Sequence, residues 1–332
     1  MCKGGEKLHL HIENSTRLGD LFDVSPSRLN DALARHPEIA DDIRITVGRD
    51  GEGFRDNMAS ADVLFAWDFE RADLAEIAPR LRWIQMQGAG VNHLLPLDWI
   101  PPGVTLTNSR GAHGERASEY LIMAILALNN RLAAMTTNQR KKRWQQIHNS
   151  TIRGKTLLIY GVGQIGGDTA LAAKQFGLRV LGIRRTGAAH DNVDEMHRPE
   201  ALRSLLPRAD FVLITAPHTP LTEHVFGRQE FDLMKQDAGF INYSRSRLVD
   251  YEALREALTA DRISAIVDVF DEEPLPSSSP LWHTPNLIIT PHCGSNDPVY
   301  HEQRSLDILF DNVKRFLDGE ELRNIVDPIQ LY

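Results

Sequence analysis

An arginine, a carboxylate and a histidine follow one another in the second half of this sequence, each just past a run of apolar residues. "INYSRSRLVD" places Arg245 after one run, "IVDVFDEEPLP" places Asp268 and Glu273 after the next, and "LIITPHCG" places His292 after a third. A guanidinium in such a place grips a carboxylate through two parallel N–H donors and polarises a neighbouring carbonyl. An imidazole passes a proton near neutral pH. A carboxylate behind it fixes the tautomer and stabilises the imidazolium. Each residue alone also has an ordinary reading. The chain has 13 histidines, so a single one after a strand is most often a capping or surface group. Arg245 and Arg247 read equally as solvated, and Asp271, Glu272 and Glu273 as a charged loop. Three such groups at the ends of successive strands point to a site.

A second constellation lies upstream. "LLIYGVGQIGGDTALAAKQFGLRVLGI" holds Gly161, Gly163 and Gly166 as G-x-G-x-x-G, with Gln164 and Ile165 between the last two. The motif follows an apolar strand, opens a helix and leads to another strand, which is the context it needs. Gly161 permits a tight turn, Gly163 lets backbone approach a pyrophosphate, and Gly166 lets the helix pack close to the sheet. The helix N-terminus adds N–H donors and a positive dipole end. These features point to a dinucleotide.

In such sites an acidic residue at the end of the second strand holds the adenosine ribose. Here that strand ends in "VLGIRRTG", and nothing acidic occurs from Gly177 to Ala189. Arg184 lies 23 residues after Gly161, followed by Arg185 and Thr186. Arginine there pairs with a 2′-phosphate. The expectation is NADP(H) in preference to NAD(H), with Arg184, Arg185 and Thr186 at the phosphate. A solvated arginine pair is the alternative.

The elements that must position these groups are legible as alternating short apolar runs and helix-like segments. This is the pattern of parallel sheets with crossover helices. A first series reads "KLHLHI", "IRITVG", "DVLFAW", "RWIQM" and "VTLTN". A second reads "TLLIYG", "RVLGIR", "FVLIT", "GFINYS", "ISAIVDVF" and "LIIT". The expected fold class is α/β, two doubly wound Rossmann-like domains with a cleft between them. "GERASEYLIMAILALNNRLAAMTTNQRKKRWQQ" predicts one or two long helices between the series, and "EQRSLDILFDNVKRFLDG" a final amphipathic helix.

Length and composition agree. The 332 residues, 42% hydrophobic and 25% charged, suit a soluble protein of about two domains. A formal charge of −8 gives no basic footprint for nucleic acid. No run of about 18 apolar residues suggests a membrane span. Two cysteines, Cys2 and Cys293, make neither a disulfide scaffold nor a cysteine-rich metal site, and no metal is expected. With no apolar leader in "MCKGGEKLHLHIEN", the expected location is cytoplasmic.

From "LRWIQMQGAGVNHL" to "TPHCGSNDPVY" the chain resembles the D-isomer-specific 2-hydroxyacid dehydrogenase family, in particular its glyoxylate/hydroxypyruvate reductase-like members. The resemblance is carried by "VTLTNSRGAHGERASEY", "GKTLLIYGVGQIG", "APHTPLTEHVFG", "INYSRSRLVDYEALREAL", "VDVFDEEPLPSSSPLW" and "ITPHCG". It implies Arg245, Glu273 and His292 as the catalytic set, with Glu273 orienting the imidazole. It implies Asp268 at the nicotinamide carboxamide, and Pro217, Thr222 and Ser244 along the cofactor. The substrate carboxylate falls to backbone N–H groups near Ala89 and Gly90, with Arg245 and His292.

The implied reaction is reduction of a 2-keto acid to a D-2-hydroxy acid. The implied layout is a flavodoxin-like substrate domain, residues 1–108 plus 298–332, and a dinucleotide domain, residues 109–297, with a hinge where the chain crosses twice. A homodimer through a helical arm at 119–147 is also implied. Departures include Asn92 for the usual Asp, and "SRSR" for "ARGG", which puts Ser246 and Arg247 where relatives carry glycine. Formate dehydrogenases, which resemble the architecture, carry Gln at the position of Glu273, and phosphoglycerate dehydrogenases often carry a further C-terminal domain. Dinucleotide-sensing corepressors of the same fold stand as the non-enzymatic alternative.

Overall fold

The computed structural model describes residues 7–17, 22–295 and 297–327. Cys2 lies outside the described residues, as does the side chain of Asn92. The chain divides into two compact units, Met1–His113 with Asn296–Tyr332, and Gly114–Ser295.

In the first unit the strands are β1 (Leu8–Asn14), β2 (Ile43–Arg49), β3 (Val63–Ala66), β4 (Trp83–Met86) and β5 (Thr105–Thr107). They form one parallel sheet in the order β2-β1-β3-β4-β5. Helices α1 (Pro26–Arg35), α2 (Phe54–Met58) and α3 (Leu74–Ile77) connect them, and α10 (His301–Asp318) returns to close the unit. The stripe Leu306, Leu309, Phe310 and Val313 of α10 is buried against Leu8, Leu10 and Ile12 of β1. That spacing of three and four is one helical face.

The second unit holds α4 (Gly114–Asn129), α5 (Leu132–Arg140), β6 (Thr156–Tyr160), α6 (Gln164–Gln175), β7 (Arg179–Ile183), β8 (Glu195–His197), α7 (Leu202–Leu205), β9 (Phe211–Ile214), α8 (Arg228–Leu233), β10 (Ala238–Asn242), α9 (Tyr251–Thr259), β11 (Ile263–Val267) and β12 (Leu287–Ile289). The parallel sheet runs β12-β11-β10-β9-β6-β7-β8. Its central strands are apolar throughout because both faces are covered. Leu158 and Tyr160 of β6 enter one core layer with Val212, Ile214 and Phe240, while Leu157 and Ile159 enter the other with Phe211, Leu213 and Ile241. The chain leaves β6 for β7 on one side and reaches β9 on the other. The switch point where ligands bind in such sheets therefore lies between β6 and β9.

Two local expectations are corrected. All eleven anticipated strands form, but β8, "EMH", is an additional one. It is a half-exposed edge strand held in register by Ile183↔His197, and it has no apolar run to announce it. The helical arm expected over 119–147 is two helices that stop at Arg140. Arg131 takes a left-handed backbone (φ 56°) and separates α4 from α5, and Lys142 (φ 55°) follows the second stop. "RKKRWQQ" buries nothing, with Trp144 95% exposed, so no packed face holds it helical. Among the described residues no helix is long and apolar enough to cross a membrane.

Candidate active site

The strand ends of the second unit place Arg245, Glu273 and His292. Asn242, the last residue of β10, sets the arginine. Its Oδ1 accepts from Ser244 N (3.2 Å) and its Nδ2 donates to Arg245 O (3.1 Å) and to the Tyr251 hydroxyl (3.3 Å), which itself donates to Val269 O (2.6 Å). Ser244 Oγ donates to Ala216 O. The turn after β10 is thus tied to the ends of β9 and β11. Burial lowers the Arg245 pKa, and the negative charge of Glu273 opposes that shift. A guanidinium stays protonated regardless, so the site holds a half-buried cation.

Glu273 uses both oxygens. Oε1 accepts from Phe270 N (2.8 Å), and Oε2 accepts from His292 Nδ1 at 2.6 Å. In that contact Nδ1–H donates to the carboxylate, which leaves Nε2 as the outward nitrogen. The ring is 44% exposed. His292 carries a positive φ of 49°, a region that non-glycine residues rarely occupy and that collects at functional sites.

The loop bearing His292 hangs on Asp268. This side chain is 2% exposed and accepts from Thr290 Oγ1 (2.5 Å), Cys293 N (3.2 Å) and Gly294 N (3.1 Å). Burial raises the Asp268 pKa against those three hydrogen bonds. Because Thr290 donates to Asp268, the Tyr120 hydroxyl donates to Thr290 (2.7 Å). Thr290, Tyr120, Asn242 and Tyr251 are positioning residues that sequence reasoning missed. Asn242 and Thr290 stand inside the quoted motifs as lone polar residues at strand ends, which was the available signal. Cys293 is an exposed free thiol whose pKa burial and Asp268 push up.

The glycine turn has the form a dinucleotide needs. Gly161 (φ 109°) lies so close to the next strand that a Cβ would stand 2.2 Å from Ala216 N. A Cβ on Gly166 would stand 2.7 Å from Gly161 O, which also accepts from Thr215 Oγ1 (2.7 Å). Around Gly163 nothing lies within 4 Å of the Cβ position, which leaves open space where the turn meets the N-terminus of α6. That space and the helix dipole suit a pyrophosphate. Gln164 folds onto Asp168 (Nε2 to Oδ2, 2.9 Å), and Ile165 packs against the core. Pro217 and Thr222 share the loop after β9, where Thr222 Oγ1 donates to Pro217 O (2.9 Å). At the end of β7, Arg184 is half-buried while Arg185 and Thr186 are exposed.

In the first unit Ala89 and Gly90 follow β4 and are half-buried, and Asn108 Nδ2 donates to Ala89 O (2.8 Å). Gly88 lies under Trp67, which stacks on His93 at 4.3 Å. Ring contacts continue from Trp67 to Phe22, from Phe22 to His301 and from His301 to His113. Burial, with His113 beside it, holds the His301 pKa down to about 3. Its neighbour Glu302 pairs with Arg28, yet burial pushes its pKa up to about 7. A cavity of about 520 Å³ opens beside Glu13, Asp50, Asp68 and Glu70. Four carboxylates against the single guanidinium of Arg17 disfavour an anionic substrate there, so it is not assigned to one.

The fold is therefore a pair of parallel α/β units, the second bearing a dinucleotide turn at its switch point. Residues 122–294 match the family model for the D-isomer specific 2-hydroxyacid dehydrogenase, NAD binding domain. The chain belongs to the D-isomer specific 2-hydroxyacid dehydrogenases, a family of NAD(P)-dependent oxidoreductases. It is 31% identical over 268 residues to a glyoxylate reductase of Korarchaeum cryptofilum, covering 77% of this chain and 79% of that one. It is 29% identical over 306 residues to a D-3-phosphoglycerate dehydrogenase of Methanocaldococcus jannaschii, covering 90% of this chain and 57% of that longer relative. A D-isomer specific 2-hydroxyacid dehydrogenase from Xanthobacter autotrophicus, solved in complex with NADPH and MES, superposes with a TM-score of 0.82 at 27% identity, over 97% of this chain and 99% of that one.

Proposed function

We propose that the chain reduces a small 2-keto acid of the glyoxylate or hydroxypyruvate type to the D-2-hydroxy acid, with NADPH preferred over NADH. The carrying observation is the 2.6 Å contact between His292 and Glu273 in the same unit as the half-buried Arg245. The dihydronicotinamide, when bound in the second unit, supplies the hydride. Arg245 pairs with the substrate carboxylate and carbonyl oxygen, and its charge stabilises that oxygen most as it turns to alkoxide. His292 Nε2–H gives its proton to the same oxygen, and Glu273 holds the opposite nitrogen so that the proton leaves from Nε2. The exposed ring then regains a proton from solvent.

The backbone N–H groups of Ala89 and Gly90 are assigned the substrate carboxylate, which makes the first unit the substrate domain. Gly161 to Gly166, Pro217, Thr222, Ser244 and Asp268 are assigned the cofactor, and Arg185 and Thr186, on the turn that Arg184 opens, its 2′-phosphate end. Exposed Met123, Leu132 and Met135 on α4 and α5 support a homodimer, which light scattering measures.

The test is parallel oxidation of NADPH and NADH with glyoxylate, hydroxypyruvate, pyruvate and phenylpyruvate. His292→Ala is expected to lower turnover by about 100-fold or more with cofactor affinity nearly kept. Full turnover in that variant overturns the acid–base assignment. Silence on every keto acid, with cofactor still bound, favours a dinucleotide sensor.

A further inference from the structure

The edge strand β8 brings a third arginine to the end of β7. Ile183 pairs with His197, and Arg184 N donates to His197 O at 3.1 Å. Arg184 and Arg198 therefore leave adjacent parallel strands at their C-terminal ends. That is also the end of the glycine turn, since Gly161 N and Val162 N both donate to Ile183 O (2.9 and 3.0 Å).

Arg184 is committed within its own loop. Its Nη2 donates to Ala189 O at 2.7 Å, while its Nε is buried without a hydrogen-bond partner among the described residues. The turn is closed by Gly187 N to Arg184 O (3.0 Å) and Ala188 N to Thr186 Oγ1 (3.3 Å). Arg185 stands exposed at its tip.

Arg198 lies along the same turn. A Cβ on Gly187 would stand 2.8 Å from Arg198 Cγ and 3.7 Å from its Nε, and Gly187 has a φ of 66°. The glycine both permits the turn and leaves room for the arginine beside it. The side chains of Arg185 and Arg198 form no hydrogen bond or ion pair with any described residue. Two of the nearby carboxylates are neutralised, Asp194 by Lys174 (2.8 Å) and Glu195 by Arg179 and Arg208, while Asp191 and Glu200 form no ion pair with a described residue.

We propose that Arg198, with Arg185 and Thr186, forms the recognition site for the adenosine 2′-phosphate, and that Arg184 is the latch that shapes the turn. This rests on the NADP(H) reading above. Two guanidinium forks match the oxygens of a phosphate monoester, and each charge-assisted contact contributes about tenfold to a hundredfold in affinity.

The probes are 2′,5′-ADP and ADP, titrated calorimetrically into the full chain, so that the readout is independent of turnover. The wild type is expected to prefer 2′,5′-ADP. Arg198→Ala and Arg185→Ala are each expected to cut that preference about tenfold or more, and Arg198→Lys to restore part of it. Arg184→Ala is expected to weaken both nucleotides together. A wild-type preference left intact by Arg198→Ala overturns the role of Arg198 while the NADP(H) reading stands. Equal binding of both probes by the wild type overturns both. Circular dichroism of each variant checks that the fold is kept.

Discussion

His301 and Glu302 are neighbours in the first turn of α10, and their ionisations oppose each other. The His301 pKa falls from 6.5 to about 3 through burial and His113, with Asp297 opposing and Arg304 adding to the fall. The Glu302 pKa rises from 4.5 to about 7 through burial, with Arg28 opposing and Asp23 adding. Between pH 3 and 6.5 the unfolded chain binds the imidazole proton and the folded chain does not, so the histidine makes stability rise with pH. Between pH 4.5 and 7 the folded chain holds the carboxyl proton and the unfolded chain does not, so the glutamate makes stability fall. Each slope is about 1.4 kcal/mol per pH unit, and from pH 4.5 to 6.5 the two cancel.

Glu302→Gln removes one slope and exposes the other. Across those two pH units the variant is expected to gain about 3 kcal/mol relative to the wild-type curve. Arg28 loses the Glu302 charge but keeps its hydrogen bonds to Asp23 O and Pro298 O and stays charged throughout, so its effect does not depend on pH. His9, whose pKa burial also lowers, contributes the same slope to both proteins and drops out of the difference. The assay is urea unfolding followed by tryptophan emission in a Trp144→Phe, Trp282→Phe background, which leaves Trp67, Trp83 and Trp99 of the first unit as reporters. Wild-type and Glu302→Gln curves that stay parallel from pH 4.5 to 6.5 would refute the reasoning.

Two further outcomes follow from the site. Gly161→Ala pushes a Cβ against the Ala216 backbone at a positive φ, so the second unit is expected to lose about 2 kcal/mol or more together with its cofactor affinity; thermal unfolding with and without NADPH measures both. Thr290→Val takes one hydrogen bond from buried Asp268 and one from Tyr120, at about 1–3 kcal/mol, and loosens the loop bearing His292. Steady-state kinetics should then show kcat falling more than KM rises, whereas an unchanged kcat would remove Asp268 and Thr290 from the positioning of the histidine.

The central strands were readable because a parallel strand covered on both faces is a continuous apolar run, as "TLLIYG" and "FVLIT" are. The glycine turn was readable because its spacing is a backbone requirement. Strand β8 was not, since an edge strand needs only register, and with it Arg198 went unnoticed. The stop after Arg140 was also hidden. The residues of "RKKRWQQ" favour or tolerate a helix, but its side chains find nothing to pack on. Arg184 and Arg185 look equivalent in sequence, and only the carbonyl of Ala189 separates them. Thr290 was passed over because its partner, Asp268, lies 22 residues away and meets it only through the pairing of β11 with β12.

The left-handed backbone at His292 has an evolutionary consequence. Glycine, and to a lesser degree asparagine, occupies that conformation without the cost of about 1 kcal/mol or more that a histidine bears there. The substitutions that relax this loop are therefore the ones that delete its imidazole. On the acid–base role proposed for His292, a lineage or a library selected for robustness alone drifts toward a sturdier and silent protein at this position, and a histidine there marks selection for turnover.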